Sequence, residues 1–142
     1  MVKPVPDGFH TVTPYLVVED AGRLIEFVTK AFGATLRFAH RRPDGKVAHA
    51  EAQIGDSIVM MGTPHGDTKP MPTAIYLYVP NCDELYKRAV AAGGISSGEP
   101  TDQFYGDRQG GVKDPCGNTW WVATHIEDVS EQELERRMAA LR

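Results

Sequence analysis

Thr13-Pro14-Tyr15-Leu16-Val17-Val18-Glu19-Asp20 opens a helical run that stops at Gly33, and the pattern returns 61 residues later as Ala74-Ile75-Tyr76-Leu77-Tyr78-Val79, opening a run that stops at Gly94. Tyr15, Leu16 and Val18 match Tyr76, Leu77 and Val79; Leu24 matches Leu85, and Ala31 matches Ala92. Counted on without a gap, the turn Gly55-Asp56 falls on Cys116-Gly117. Two copies at so long a period are a duplicated module, and a site between them inherits a pseudo-twofold axis.

Each copy reads as strand, helix and three strands. Val12 to Val18 is rich in β-formers, and Leu24, Phe27, Val28 and Ala31 then recur at helical spacing. Thr35–Ala39 and Val47–Ile54 flank the turn Pro43-Asp44-Gly45, and Gly55-Asp56 leads into Ser57–Met61. The second copy runs through Ile75–Val79, a helix from Cys82 to about Ala92, a weaker strand near Ile95, Gln109–Lys113 and Thr119–Thr124. The expected class is α+β: two tandem βαβββ modules, about 10–62 and 73–125, forming a U-shaped mixed sheet around a concave cavity with the helices outside. Together they make one domain over 8–126. Pro64, Pro70 and Pro72 mark the linker between the modules. In the segment 127–142, Ser130 with Glu133 announces a last amphipathic helix, whose stripe Leu134, Met138 and Leu141 packs on its own body or on a sister subunit.

Bulk properties narrow the function. At 142 residues and a formal charge of −4, the chain gives no electrostatic reason to bind nucleic acid. No run of 18 apolar residues and no apolar leader is present, so a soluble, cytoplasmic protein without membrane contact is expected. Cys82 and Cys116 are too few for a disulfide framework and are read as incidental thiols.

Strand parity selects the inward side chains. With Gly55-Asp56 as a two-residue turn, His49, Glu51, Gln53, Ile58 and Met60 share the concave face, and Ala48, Ala50, Ala52 and Ile54 lie under the helix. Thr13, Tyr15 and Val17 join the concave face, as do Ala74, Tyr76 and Tyr78 by the repeat. In the second hairpin the same rule selects Arg108, Gly110 and Val112 with Thr119, Trp121, Ala123 and His125. The expected ligand-binding set is therefore Thr13, Tyr15, His49, Glu51, Met60, Tyr76, Tyr78, Arg108, Trp121 and His125. Aromatic walls with a few polar groups suit a small, flat ligand.

The ordered set Thr13-Pro14-Tyr15-Leu16, Ala31-Phe32-Gly33-Ala34, Ala48-His49-Ala50-Glu51, Tyr105-Gly106-Asp107-Arg108 and Asp114-Pro115-x-Gly117-Asn118-x-Trp120 resembles the vicinal oxygen chelate superfamily, which includes glyoxalase I, extradiol dioxygenases and bleomycin-resistance proteins. It is most similar to the PhnB-like branch. The resemblance implies homodimers, some with modules exchanged between chains, and in the enzymes one divalent metal held by His and Glu. Laid on this chain, the four ligand positions are Thr13, Met60, Ala74 and Trp121. None is an imidazole or carboxylate, so no metal and no other cofactor is expected there. His49 and Glu51 could chelate a displaced metal with His125, or Glu51 could serve as a catalytic general base for a lyase or isomerase acting next to a carbonyl. Arg108 could hold a ligand carboxylate or phosphate, or pair with Glu51. The readings are thus a metal-free binder of a planar, partly polar molecule, an enzyme, or a partner-binding module using the last helix.

Overall fold

A computed structural model describes all 142 residues. Module one contains β1 (Tyr15–Val17), α1 (Ala21–Phe32), β2 (Thr35–Arg41), β3 (Val47–Ile54) and β4 (Ser57–Gly62). Module two contains β5 (Ala74–Tyr78), α2 (Cys82–Ala91), β6 (Ile95–Asp102), β7 (Asp107–Lys113) and β8 (Thr119–His125), and α3 (Glu131–Ala140) follows. The strand orders β1-β4-β3-β2 and β5-β8-β7-β6 repeat one topology, with the first strand parallel to the last and the rest antiparallel. This is the α+β class with tandem βαβββ modules.

Local chemistry sets the helix ends. Asp20 caps α1 by accepting from the Arg23 amide at 3.3 Å, and Asn81 caps α2 by accepting from the Glu84 amide at 3.2 Å. Leu24, Phe27, Val28 and Ala31 are buried on one face of α1, against the small residues Ala50 and Ala52 of β3. The two helices pack against each other, and the helix-facing sides of both sheets join one core of 20 buried residues. Phe32 meets the fully buried Trp120 with ring centroids 5.0 Å apart. No strand pair joins the two sheets within the chain, and the faces opposite the helices are open, with Tyr15, Phe38, Tyr76 and Tyr78 exposed on them.

The linker runs along the outer edge of β1, where the Met71 amide donates to the Val17 carbonyl at 3.0 Å. Ser130 caps α3, accepting from the Glu133 amide at 3.2 Å, but no residue of α3 is buried, and Met138 and Leu141 stay exposed. Arg137 fastens the helix, donating to the Phe104 carbonyl and pairing with Glu127 and Glu133. No helix is long and apolar enough to cross a membrane.

The second hairpin departs from the expected parity. Glu51 faces Met60 across eight intervening residues, whereas Gly111 faces Trp121 across nine. The extra residue sits in the loop 114–118 that replaces the two-residue turn of module one. A slip of one residue sends every side chain of a strand to the other face. The open face of β7 therefore carries Asp107, Gln109, Gly111 and Lys113, while Arg108, Gly110 and Val112 face α2.

Candidate functional site

On the open face of module one, Tyr15, Met60, Glu51 and Phe38 form one row across four strands. His49 lies one row along, its Nε2 3.3 Å from Glu51 Oε2 and its Nδ1 3.4 Å from the Tyr15 hydroxyl. The rings of Tyr15 and Phe38 flank it at centroid distances of 5.6 and 6.2 Å. Tyr15 reaches His49 by lying over Gly62, where a Cβ would stand 2.6 Å from its hydroxyl. Thr13 precedes β1 and donates its hydroxyl to the His10 carbonyl at 3.1 Å.

On the open face of module two, the equivalent row is Tyr76, Trp121, Gly111 and Gly98. The Trp121 ring lies over Gly111, and a side chain at 111 would run into it. Where module one carries Glu51, module two carries an indole on a bare glycine. Asp107, 3% exposed, is the hub of this face. Its Oδ2 accepts from the hydroxyls of Tyr76 at 2.7 Å and Tyr78 at 2.9 Å, and its Oδ1 pairs with His125 Nδ1 at 2.9 Å. Burial pushes the Asp107 carboxyl up, but the hydrogen bonds from His125, Tyr76 and Tyr78 outweigh it and the net shift is downward. His125 is raised by its hydrogen bonds to Asp107 and Asp128, the latter at 2.7 Å. Burial, then the bond to Asp107, pushes the Tyr76 phenol far up, and the same bond raises Tyr78. Ala74 is exposed at the start of β5, opposite Thr119.

Arg108 is the expected site residue that the structure removes. Its Nε and Nη2 both donate to the Asp83 carboxylate at 2.9 Å, and Nη1 donates to Asp102 at 3.0 Å. The hydrogen bond from Arg108 pulls the Asp83 carboxyl below its ordinary value. The guanidinium thus ties β7 and β6 to the first turn of α2, away from Glu51. Asp107, Asp128 and Phe38 were not among the expected site residues. Asp107 was hidden by the parity of its strand, and Phe38 by a bulge between Leu36 and Phe38 that shifts the register of β2.

A cavity of about 720 Å³ runs along the free edge of β5. Its walls are consecutive residues of both parities, Ile75 to Pro80, together with Ile54 to Val59, His10, Val12, Pro14, Phe32 and Leu85. Of the expected site residues, Tyr76 and Tyr78 line it.

Residues 8–122 match the family described as the Glyoxalase/Bleomycin resistance protein/Dioxygenase superfamily. The chain belongs to that superfamily. An uncharacterised protein of Mycobacterium bovis, Mb0911c, is 33% identical over 143 aligned residues, covering 91% of this chain and 92% of the relative. Among solved structures, TioX from Micromonospora sp. ML1 is similar with a TM-score of 0.70 at 24% identity, over 82% of this chain and 99% of TioX. The Arabidopsis thaliana gene product AT5G48480 has a TM-score of 0.62 at 25% identity, over 81% of this chain and 98% of the other.

Membership makes the metal question concrete. The positions assigned to metal ligands by resemblance offer a hydroxyl committed to His10, a thioether, a methyl group and an indole. This donor set does not fit a divalent ion that needs imidazole nitrogen or carboxylate oxygen. His49 and Glu51 bond to each other, and no group of three or more His, Cys, Asp or Glu gathers anywhere in a metal-holding arrangement.

Proposed function

We propose that this superfamily member binds a planar or aromatic, partly polar small molecule without a metal, and that two copies of the chain close the site between them. The observation that carries the reading is the set of aromatic rings on the open sheet faces. Tyr15 is 48% exposed and Tyr78 65%, and Tyr15 and Trp121 lie over glycines. Exposed aromatic surface of this kind marks a binding face, and stacking on it adds about 0.5–1.5 kcal/mol per ring beyond area burial. A second copy supports closure, because module one of one chain and module two of its partner could meet edge to edge where no strand pair forms within the chain.

A panel of planar aromatics in a thermal-shift screen tests the reading. A ligand at about 100 times its Kd adds about 2.7 kcal/mol, a rise of several degrees. Trp121→Ala should abolish the rise. The reading fails if no compound stabilises the protein and Trp121→Ala behaves as wild type. Stoichiometric zinc, nickel, manganese or iron in untagged protein, lost in His49→Ala or Glu51→Ala, would overturn the metal-free part.

The chain Glu51–His49–Tyr15 favours a second reading, an enzyme. Glu51 can hold the imidazole proton on Nε2, leaving Nδ1 as a base beside the Tyr15 hydroxyl. Turnover of a carbonyl compound that disappears in both Glu51→Gln and His49→Asn would establish it.

A further inference from the structure

The tyrosine pair of module two has a defined hydrogen-bond polarity. An ionised carboxylate only accepts, so the hydroxyls of Tyr76 and Tyr78, 2.7 and 2.9 Å from the same oxygen of Asp107, must both donate to it. Each phenolic oxygen then has only lone pairs left for a ligand. Of the other donors of the cluster, His125 spends Nδ1 on Asp107 and Nε2 on Asp128, and the Tyr105 phenol lies beside Tyr76. The low Asp107 carboxyl and the raised phenols keep this polarity fixed near neutral pH.

The surroundings hold little positive charge to reverse this. Both tyrosines line the cavity of about 720 Å³, whose only other ionisable side chains are His10 and Asp56; no lysine or arginine lines it. Arg108 is turned away to Asp83 and Asp102. Lys113 is the nearest cation on the open face of β7; it stands in the row of Thr119 and Ala74, one row beyond Trp121 and Tyr76 and two beyond Tyr78, and is exposed. The positive charge on His125 is matched by two carboxylates. Aromatic faces add their own preference, because the ring quadrupole attracts cations.

We infer that the Tyr76–Tyr78 face selects a planar cation that donates hydrogen bonds, such as an amidinium, a guanidinium or a protonated aromatic amine, over a carboxylate or a neutral acceptor. This rests on the reading above that the aromatic faces hold a planar ligand, and it names the ligand's class.

Benzamidinium, benzamide and benzoate share one ring and differ in charge and donor count, so their binding to the full-length protein can be compared by NMR titration. Benzamidinium should bind at least about tenfold tighter than benzoate, shifting the resonances of Tyr76, Tyr78 and Trp121. Tyr78→Phe, a change at an exposed ring, should weaken benzamidinium severalfold and narrow its advantage over benzoate. Asp107→Asn, which frees a phenolic proton to face the ligand, should erase the preference. Benzoate or benzamide binding as tightly as benzamidinium would overturn the inference while leaving a planar-ligand site intact. Failure of all three to bind, with Trp121→Ala indistinguishable from wild type in the aromatic screen, would overturn the underlying reading as well.

Discussion

Each open face depends on a residue with no side chain. Gly111 sits directly beneath the Trp121 ring, so a methyl group there must displace the indole from the sheet. Gly111→Ala should cost about 1–3 kcal/mol and shift the tryptophan emission toward that of an exposed indole. In the background of Trp121→Ala the same methyl should cost little, which a double-mutant cycle by chemical denaturation will check. His125 carries a second prediction at this scale. Two carboxylates accept from its two nitrogens, an arrangement that only the imidazolium satisfies fully. Its folded pKa lies above the ordinary 6.5, so its contribution to stability is complete below 6.5 and is lost as pH rises through the folded value. Asp107 works in the opposite sense, its contribution being lost as pH falls through its lowered value. Imidazole NMR should find His125 titrating above 6.5, and His125→Asn should flatten the alkaline side of the thermal stability profile. A midpoint at or below 6.5 would contradict the pairing.

At the scale of elements, the turn that helped to identify the family has a physical task. Asp114, 3% exposed, accepts from the Cys116 and Asn118 amides at 2.7 and 3.0 Å, from Asn118 Nδ2 at 3.0 Å and from Trp120 Nε1 at 2.7 Å. Asn118 Oδ1 then takes the Thr73 amide at 3.0 Å, joining the hairpin to the start of β5. Asp114→Ala strands a fully buried indole N–H and should cost about 1–3 kcal/mol for that group alone, read as a fall in the urea midpoint at constant slope. Both modules, with their helices and strands, were legible from apolar periodicity, and the register of Glu51 against Met60 from Gly55-Asp56, because these signals are local. The face of β7 was not, because it depends on how many residues a loop absorbs between its paired ends. One residue in 114–118 exchanged Arg108 for Asp107 on the open face and changed the polar character of the site from a guanidinium to a carboxylate bound by two phenols. The Asp107 cluster itself joins β5, β7, β8 and the segment after β8, a meeting that no spacing rule within one stretch of sequence announces.

For the whole molecule, the duplicated scaffold and its unlike faces separate two ways of building a site. Module one offers Tyr15, Glu51 and His49, and module two offers Tyr76, Tyr78 and Trp121. If the ligand sits between module one of one chain and module two of its partner, a variant damaged in either module loses both sites of the homodimer. A mixed dimer of the two variants combines the two intact modules in one site and both damaged ones in the other. Co-refolding Tyr15→Ala/Glu51→Ala chains with Trp121→Ala chains should then restore about a quarter of the wild-type binding capacity, since random pairing makes half the dimers mixed and each has one good site of two. A site contained within one chain predicts no recovery in the same mixture, because every chain carries a damaged half. Light scattering on the wild type supplies the control. A monomer at micromolar concentration removes the shared site outright, and a dimer without recovery places the ligand on the face of a single chain.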